Sequence, residues 1–155
     1  MGKGGGMKRR KMLWAWLPCA LWMAVIFAMS AMTGKASGAQ SGVLAKLLYS
    51  LISVFSGAME PGDLEFVIRK GAHLSEYALL FLLYFRALFL TGCGRHGILA
   101  FALTVFYAAT DEVHQFFVPG RSASAADVMI DAAGALAAWM ILALVRKMIR
   151  RKKDV

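Results

Sequence analysis

Residues 97–145 read GILAFALTVFYAATDEVHQFFVPGRSASAADVMIDAAGALAAWMILALV. Two largely apolar runs, 97–118 and 123–145, lie on either side of a short turn in this stretch. A transmembrane helix needs about 20 consecutive, mostly apolar residues, and Pro119-Gly120 suits the two central positions of a type II turn. The stretch therefore predicts two membrane-spanning helices that are joined by a tight turn.

Two further apolar runs precede this pair along the chain. Residues 12–32 carry no charge, and residues 72–90 are apolar apart from His73, Glu76 and Arg86. A cleaved signal peptide is the alternative for the first run, but the apolar core of a signal is usually only about 7–15 residues long. We therefore predict an all-α integral membrane bundle of four transmembrane helices.

The composition agrees with a membrane protein. The chain has 155 residues, about one domain by length, of which 59% are hydrophobic and 17% charged. An ordinary soluble domain is about 45–50% apolar and about 25% charged, and a disordered chain is less apolar still. The two cysteines, Cys19 and Cys93, have no metal-ligand spacing and suggest no disulfide framework.

The charges are distributed unevenly along the chain. The net charge is +9, and most of the 18 lysines and arginines lie in the tails 1–11 and 146–155 or beside the turn between the second and third spans. Basic residues collect on the cytoplasmic side of membranes, so we expect both termini in the cytoplasm. All acidic residues except Asp154 lie in the outer loops or the outer halves of the spans. Because the basic clusters adjoin apolar runs, we expect no nucleic-acid partner.

The loop 33–71, predicted on the outer side, is long for a connection between helices. Within it, residues 43–55 place apolar side chains on one helical face, with Lys46, Ser50 and Ser53 on the other. A segment of this length cannot span a membrane, so it predicts an interfacial helix on the outer leaflet. A loop helix packed on the bundle is the alternative.

Polar residues inside three of the spans form the main functional signal. Ionisable groups within spans are costly and normally face the bundle interior. Within each span, the polar residues are three or four positions apart and so share one helical face. Glu112 of the third span is the exception, since it lies beside that face. The polar residues are His73, Glu76 and Tyr77 on the second span, Asp111, Glu112, His114 and Gln115 on the third, and Asp127 and Asp131 on the fourth.

All of these residues are predicted to lie at the same depth in the membrane. The second and fourth spans enter from outside and the third leaves toward outside, so each polar set lies in the outer turns of its helix. The sequence therefore predicts a polar pocket toward the outer leaflet. Arg121 lies in the turn above it, where it could pair with Asp111 or Glu112, or hold a phosphate or carboxylate. The spacing of Ser124 and Asp127 resembles a capping box at the start of the fourth span.

Two kinds of role follow for these side chains. Carboxylates beside histidines can supply the pair of groups that general acid–base catalysis needs. Candidate catalytic residues are Glu76, His73, Asp111, His114 and Asp131. Candidate substrate-binding residues are Arg121, Gln115, Glu112, Asp127, Arg69, Lys70 and Tyr77.

Several alternatives remain open for the same cluster. It could be a buried ion-pair network that locks three helices, or a site that binds a head group without chemistry. A proton-coupled transporter would use the acids as a relay. The oxygen-rich set could also bind a divalent metal, for which it suits Mg, Mn or Ca better than Zn, although no compact metal motif is present and we assign no metal ligand or cofactor.

The polar residues resemble those of a known family. The sequence is similar to the VanZ-like family of bacterial membrane proteins over residues 66–142, and less closely over the first span. The matching motifs are Ile26-Phe27-x-x-Ser30, Arg69-Lys70-x-x-His73-x-x-Glu76-Tyr77, Asp111-Glu112-x-His114-Gln115-x-Phe117-Val118-Pro119-Gly120-Arg121 and Asp127-x-x-Ile130-Asp131-x-x-Gly134.

This resemblance implies a multi-pass protein of the bacterial plasma membrane. The family's namesake is linked to resistance to teicoplanin, a lipoglycopeptide that targets a lipid-linked cell-wall precursor. The expected partners are therefore membrane lipids and, by resemblance, such a precursor or the lipoglycopeptide itself. The resemblance implies no particular reaction.

Overall fold

The computed structural model describes residues 3–39, 42–43 and 61–153, and this part of the chain is helical with short connections. Its long helices are α1 (Lys3–Ser30), α2 (Pro61–Leu90), α3 (His96–Phe116) and α4 (Ala125–Lys153). Residues 34–39 form a short helical segment after α1. The helix predicted over 43–55 lies, beyond residue 43, outside the described residues.

Helix α2 begins earlier than the apolar pattern predicts. It starts at Pro61, whereas the sequence analysis assigned residues up to 71 to the outer loop. Proline fits the first turn of a helix because its missing N–H would have no partner there, and Asp63 is favoured there by the helix dipole. The charged residues Arg69 and Lys70 end the apolar run without ending the helix.

Three of the helices are long and apolar enough to cross a membrane, where the sequence predicted four spans. The candidate segments in the described part of the chain are Arg10–Ser30, Phe66–Leu90 and Ala125–Lys152. Helix α3 is not among them because its last turns carry Asp111, Glu112, His114 and Gln115, which lower the mean hydropathy of the helix.

Helix α2 is the centre of the bundle. It contacts α1, α3 and α4, and its interface with α4 is the most extensive of the described helix pairs. The two helices approach so closely that a side chain at Gly134 would collide with the backbone of Leu74. Ala135 and Ala138 of α4 are also buried, and small residues are common where membrane helices pack closely.

The outside of the bundle is apolar and its inside partly ionic. Large side chains such as Leu13, Phe106 and Met129 are mostly exposed, while Asp111 and Asp131 are buried. Soluble monomers rarely expose such extended apolar surface. The distribution fits a helical protein whose outer surface faces lipid.

The turn between α3 and α4 has the predicted geometry. The Arg121 N–H donates to the Val118 carbonyl at 3.1 Å, and Gly120 has a φ of 75°. These features define a type II turn with Pro119 and Gly120 in the centre. The Gly34 N–H donates to the Pro119 carbonyl at 3.1 Å, which attaches the segment after α1 to this turn.

Candidate functional site

A cavity of about 350 Å³ lies among α1, the first half of α2, the end of α3 and the α3–α4 turn. It brings together residues that the sequence analysis assigned to one pocket. Its ionisable lining residues are Arg69, His73, Glu76, Asp111 and Arg121. Its apolar lining residues are Ile26, Met29, Ile68 and Ala72. The cavity is therefore amphipathic, with apolar and ionic walls around one space.

A smaller and more polar cavity, of about 220 Å³, adjoins the first. The two share Arg69, His73 and Arg121 in their walls. The smaller cavity adds three further predicted site residues, which are Lys70, Gln115 and Asp127. Polar residues of three helices thus line two adjoining cavities, whereas Tyr77, Glu112, His114 and Asp131 line neither of them.

His73 and Asp131 face each other between α2 and α4. The His73 Nδ1 atom lies 3.7 Å from the Asp131 Oδ1 atom, and Asp131 is 1% exposed. Neither atom has a hydrogen-bond partner among the described residues. The separation is slightly longer than a hydrogen bond, so a small movement of the imidazole would complete a carboxylate–histidine pair.

Asp111 lines the larger cavity. The Gln115 amide donates to its Oδ2 atom at 2.9 Å, whereas its Oδ1 atom is buried without a hydrogen-bond partner among the described residues. The buried Tyr77 hydroxyl lies beside this carboxylate, but the geometry is not that of a formed hydrogen bond. The Asp111 Oδ2 atom thus has a hydrogen-bond partner on the protein, whereas the Oδ1 atom has none among the described residues.

Glu112 and Asp127 hold the start of α4, but not as the capping-box spacing predicts. In a capping box, Asp127 would accept from the Ser124 N–H. Instead the Glu112 Oε2 atom accepts from that N–H at 2.8 Å, and Asp127 forms an ion pair with Lys70 of α2. Both acids therefore tie α4 to a neighbouring helix.

Arg121 lines both the larger and the smaller cavity. Its guanidinium donates to the Met29 carbonyl at 3.3 Å, and it is within electrostatic range of Asp111, Glu112 and Glu76. Partial burial lowers the pKa of Arg121 overall, although the nearby acids act in the opposite direction. The guanidinium nevertheless remains charged. It is paired with no carboxylate in the described part of the chain, so its charge is available to a ligand.

His114 is not part of either cavity lining, although the sequence analysis placed it on the Asp111 face. Its ring stacks on Phe27 at a centroid distance of 4.4 Å, and its Nδ1 atom lies 3.3 Å from the Ser30 hydroxyl. The reason is helical geometry. A residue three positions along a helix is rotated by about 60° from the first, and α1 packs on that side.

Helix α1 contributes side chains to the site that the sequence analysis did not assign to it. They are Ser30 and the apolar lining residues. Ser30 is buried, and Ile26 and Met29 line the larger cavity. A hydroxyl near the end of an apolar run is a weak signal by itself. The four-residue spacing of Ile26 and Ser30 was the available clue, because it places both on one face of α1.

The residues do not form an evident metal centre. In the part of the chain that the structure describes, no three His, Cys, Asp or Glu side chains are grouped so that they could hold a metal ion. The chemistry that the arrangement offers on its own is proton transfer by His73, Glu76 and Asp111 beside the cationic group of Arg121.

These features define a class: an all-helical protein with an apolar outer surface, membrane-type helices and a buried histidine–carboxylate–arginine site. Residues 15–146 match the family model described as VanZ/LLP1, so the chain belongs to this family, which confirms the resemblance seen in the sequence motifs. Comparison with curated proteins and with solved structures gives no match.

Proposed function

We propose that this protein acts on a lipid or a lipid-linked component of the bacterial cell envelope. The observation that carries the proposal is the amphipathic larger cavity. Its apolar side, with Ile26, Met29 and Ile68, suits a hydrocarbon chain. Its ionic side presents Arg69 and Arg121, which suit an anionic head group because arginine binds phosphate and carboxylate in a bidentate manner.

The proposal includes a topology of four spans with both termini in the cytoplasm. Although α3 carries polar residues in its last turns, these are buried or half-buried against other helices. Polar residues within a span are tolerated when they face the bundle interior. This arrangement, together with the basic tails, would place the larger cavity toward the outer leaflet of the plasma membrane.

In a catalytic role, three side chains would each have a separate function. Glu76 would accept a proton from an attacking nucleophile such as water, and His73, held by Asp131, would donate a proton to the leaving oxygen. Arg121 would balance the negative charge that develops on the substrate. Asp111, with one uncommitted oxygen, is the alternative base.

A non-catalytic binding or shielding protein is the second candidate. Two contacts support it, because they join α4 to its neighbours through the same polar cluster. They are Glu112 with the Ser124 backbone and Lys70 with Asp127. A third contact, Gln115 with Asp111, lies within α3. In this case the cavity would hold a head group, or the acyl tail of the antibiotic, without chemistry.

The test uses a teicoplanin-sensitive bacterium that expresses the wild-type protein or Glu76→Gln at equal membrane abundance. Asp63→Asn is the matched control, since it makes the same chemical change at an exposed residue outside both cavity linings. We expect wild type and Asp63→Asn to protect and Glu76→Gln to lose protection if the site is catalytic. Comparison of lipid extracts would then identify the altered component.

Other outcomes separate the candidates. Equal protection by Glu76→Gln would remove Glu76 from the mechanism and favour passive binding, which the neutral isostere should largely preserve. No protection by the wild-type protein would show that this member does not act on teicoplanin susceptibility.

A further inference from the structure

A second concentration of charge lies at the opposite end of the bundle. The start of α1 lies beside the end of α2, and the two helices enclose a groove there. We call it the basic groove. Its lining residues are Arg10, Lys11, Trp14, Ala15, Arg86 and Leu90. It shares no residue with the cavities of the candidate functional site.

The positive charge of the basic groove is not balanced by the described part of the chain. The ion pair of Lys70 with Asp127 and the close approach of His73 to Asp131 both lie at the other end of the bundle. The acidic residues of α2, α3 and α4 also lie away from this groove, because they occupy the stretch of α2 up to its middle at Glu76, the end of α3 and the start of α4. A counter-charge from outside the chain would therefore be stabilising.

The position of Arg86 along α2 indicates where such a counter-charge would bind. It lies four residues before the end of α2 at Leu90, a distance of about 6 Å along a helix. The side chain is exposed on the bundle surface, so in a bilayer its guanidinium would be at or just below the level of the head groups. A phosphate at this level can form bidentate hydrogen bonds with it.

An apolar groove adjoins the basic one and shares Trp14 with it. The residues that line the apolar groove are Met12, Leu13, Trp14, Trp16, Leu17 and Ala20, all on α1. Tryptophan is enriched at the level of the head groups because its ring is amphipathic. Sites for a charged head and for a hydrocarbon chain thus meet at one interfacial side chain.

We propose that the basic groove binds an anionic phospholipid of the bilayer. Its phosphate lies among Arg10, Lys11 and Arg86, and an acyl chain follows the apolar groove past Trp14. Basic pockets between membrane helices on the cytoplasmic side bind anionic head groups in this way. The bound lipid joins α1 to α2 at the end of the bundle remote from the larger cavity.

The experiment titrates the purified full-length protein in detergent with dioleoyl phosphatidylglycerol or dioleoyl phosphatidylcholine and counts bound lipid by native mass spectrometry. The variants are Arg86→Gln and the double variant Arg10→Gln/Lys11→Gln. Lys147→Gln is the matched control, because Lys147 is an exposed base near the end of α4 and does not line the groove. We expect wild type to prefer the anionic lipid and Arg86→Gln to weaken its binding about fivefold.

The double variant should weaken binding further, and Lys147→Gln should bind as wild type does. Three results would overturn the proposal: equal affinity of wild type for the two lipids, an equal loss in Lys147→Gln and Arg86→Gln, or full competition by soluble glycerophosphoglycerol. The second would mean diffuse attraction to the basic end, and the third would mean a site for the free head group. If Arg86→Gln does not fold, the double variant provides the same comparison.

Discussion

At the scale of single residues, the polar cluster divides into two groups. Gln115 donates to Asp111 within α3. The Glu112 Oε2 atom accepts from the Ser124 N–H at the start of α4, although the Glu112 Oε1 atom is buried without a partner in the described structure. The His73 Nδ1 and Asp131 Oδ1 atoms are buried without one in the described structure. An unsatisfied buried polar atom costs about 1–3 kcal/mol. This cost is easier to explain if a substrate or a moving proton uses these atoms.

Asp131→Asn should separate function from stability. The amide keeps the volume of the side chain but removes a carboxylate that is nearly fully buried. We expect the Tm in detergent to stay the same or rise by up to about 4 °C, while protection in the susceptibility assay is lost because His73 is no longer positioned. Thermal unfolding of the purified variant and the susceptibility assay measure the two effects.

Asp127→Asn is the control for this change. Asp127 has a cationic partner in Lys70, and both side chains are about one fifth exposed, so its neutralisation leaves Lys70 unpaired and should lower the Tm. A fall in Tm for Asp131→Asn larger than that for Asp127→Asn would mean that Asp131 is a structural ion-pair residue.

At the scale of the helices, the crossing of α2 and α4 depends on one small residue. A methyl group at Gly134 would meet the Leu74 carbonyl, so Gly134→Ala should push the helices apart. We expect a loss of about 1–3 kcal/mol despite the better helix propensity of alanine. Because His73 and Asp131 flank this crossing, their separation should increase as well. Thermal unfolding in detergent measures the loss.

Gly71→Ala is the matched control in the same helix pair. Nothing lies within 4 Å of a methyl group at Gly71, and replacing glycine by alanine inside a helix gains about 0.8–1 kcal/mol. The two glycine substitutions should therefore change the Tm in opposite directions. A stabilising Gly134→Ala would contradict the close approach of the two helices.

The helices also show where sequence reasoning stops. Apolar runs located the bundle segments, and the Pro119-Gly120 turn had the expected geometry. The start of α2 was predicted too late because an apolar run ends at the first charged residues. A helix, in contrast, can continue through charged residues into the water. His114 was misplaced because a spacing of three residues defines a face only approximately, and which side α1 covers is a property of the packing.

At the scale of the whole molecule, the convergence of the polar residues was predictable because it follows from the alternating direction of the helices. What topology could not predict was the choice of partners. Asp127 pairs with Lys70 and Glu112 accepts from the Ser124 backbone, which leaves Arg121 over the larger cavity. These choices depend on distances between helices, and an individual helix pattern contains no information about them.

The proposed topology predicts which positions are reached from outside an intact cell. In a Cys93→Ser background, Ser122→Cys should react with a membrane-impermeant maleimide and Lys147→Cys should not. Both native side chains are exposed on the protein, so burial does not explain a difference. Permeabilised cells, in which both should react, provide the control. If α3 does not span, Ser122→Cys will be unreactive in intact cells or Lys147→Cys will react.

If α3 spans the membrane as we propose, its uneven polarity has a consequence for biogenesis. Its final turns carry Asp111 and Glu112, and Glu112 is hydrogen-bonded only once Ser124, beyond the turn, is in place. A ribosome delivers α3 before α4, so α3 alone would present unshielded carboxylates to the bilayer. We therefore expect the translocon to release α3 and α4 together, as a hairpin closed by Pro119 and Gly120, into a groove that α1 and α2 have already formed.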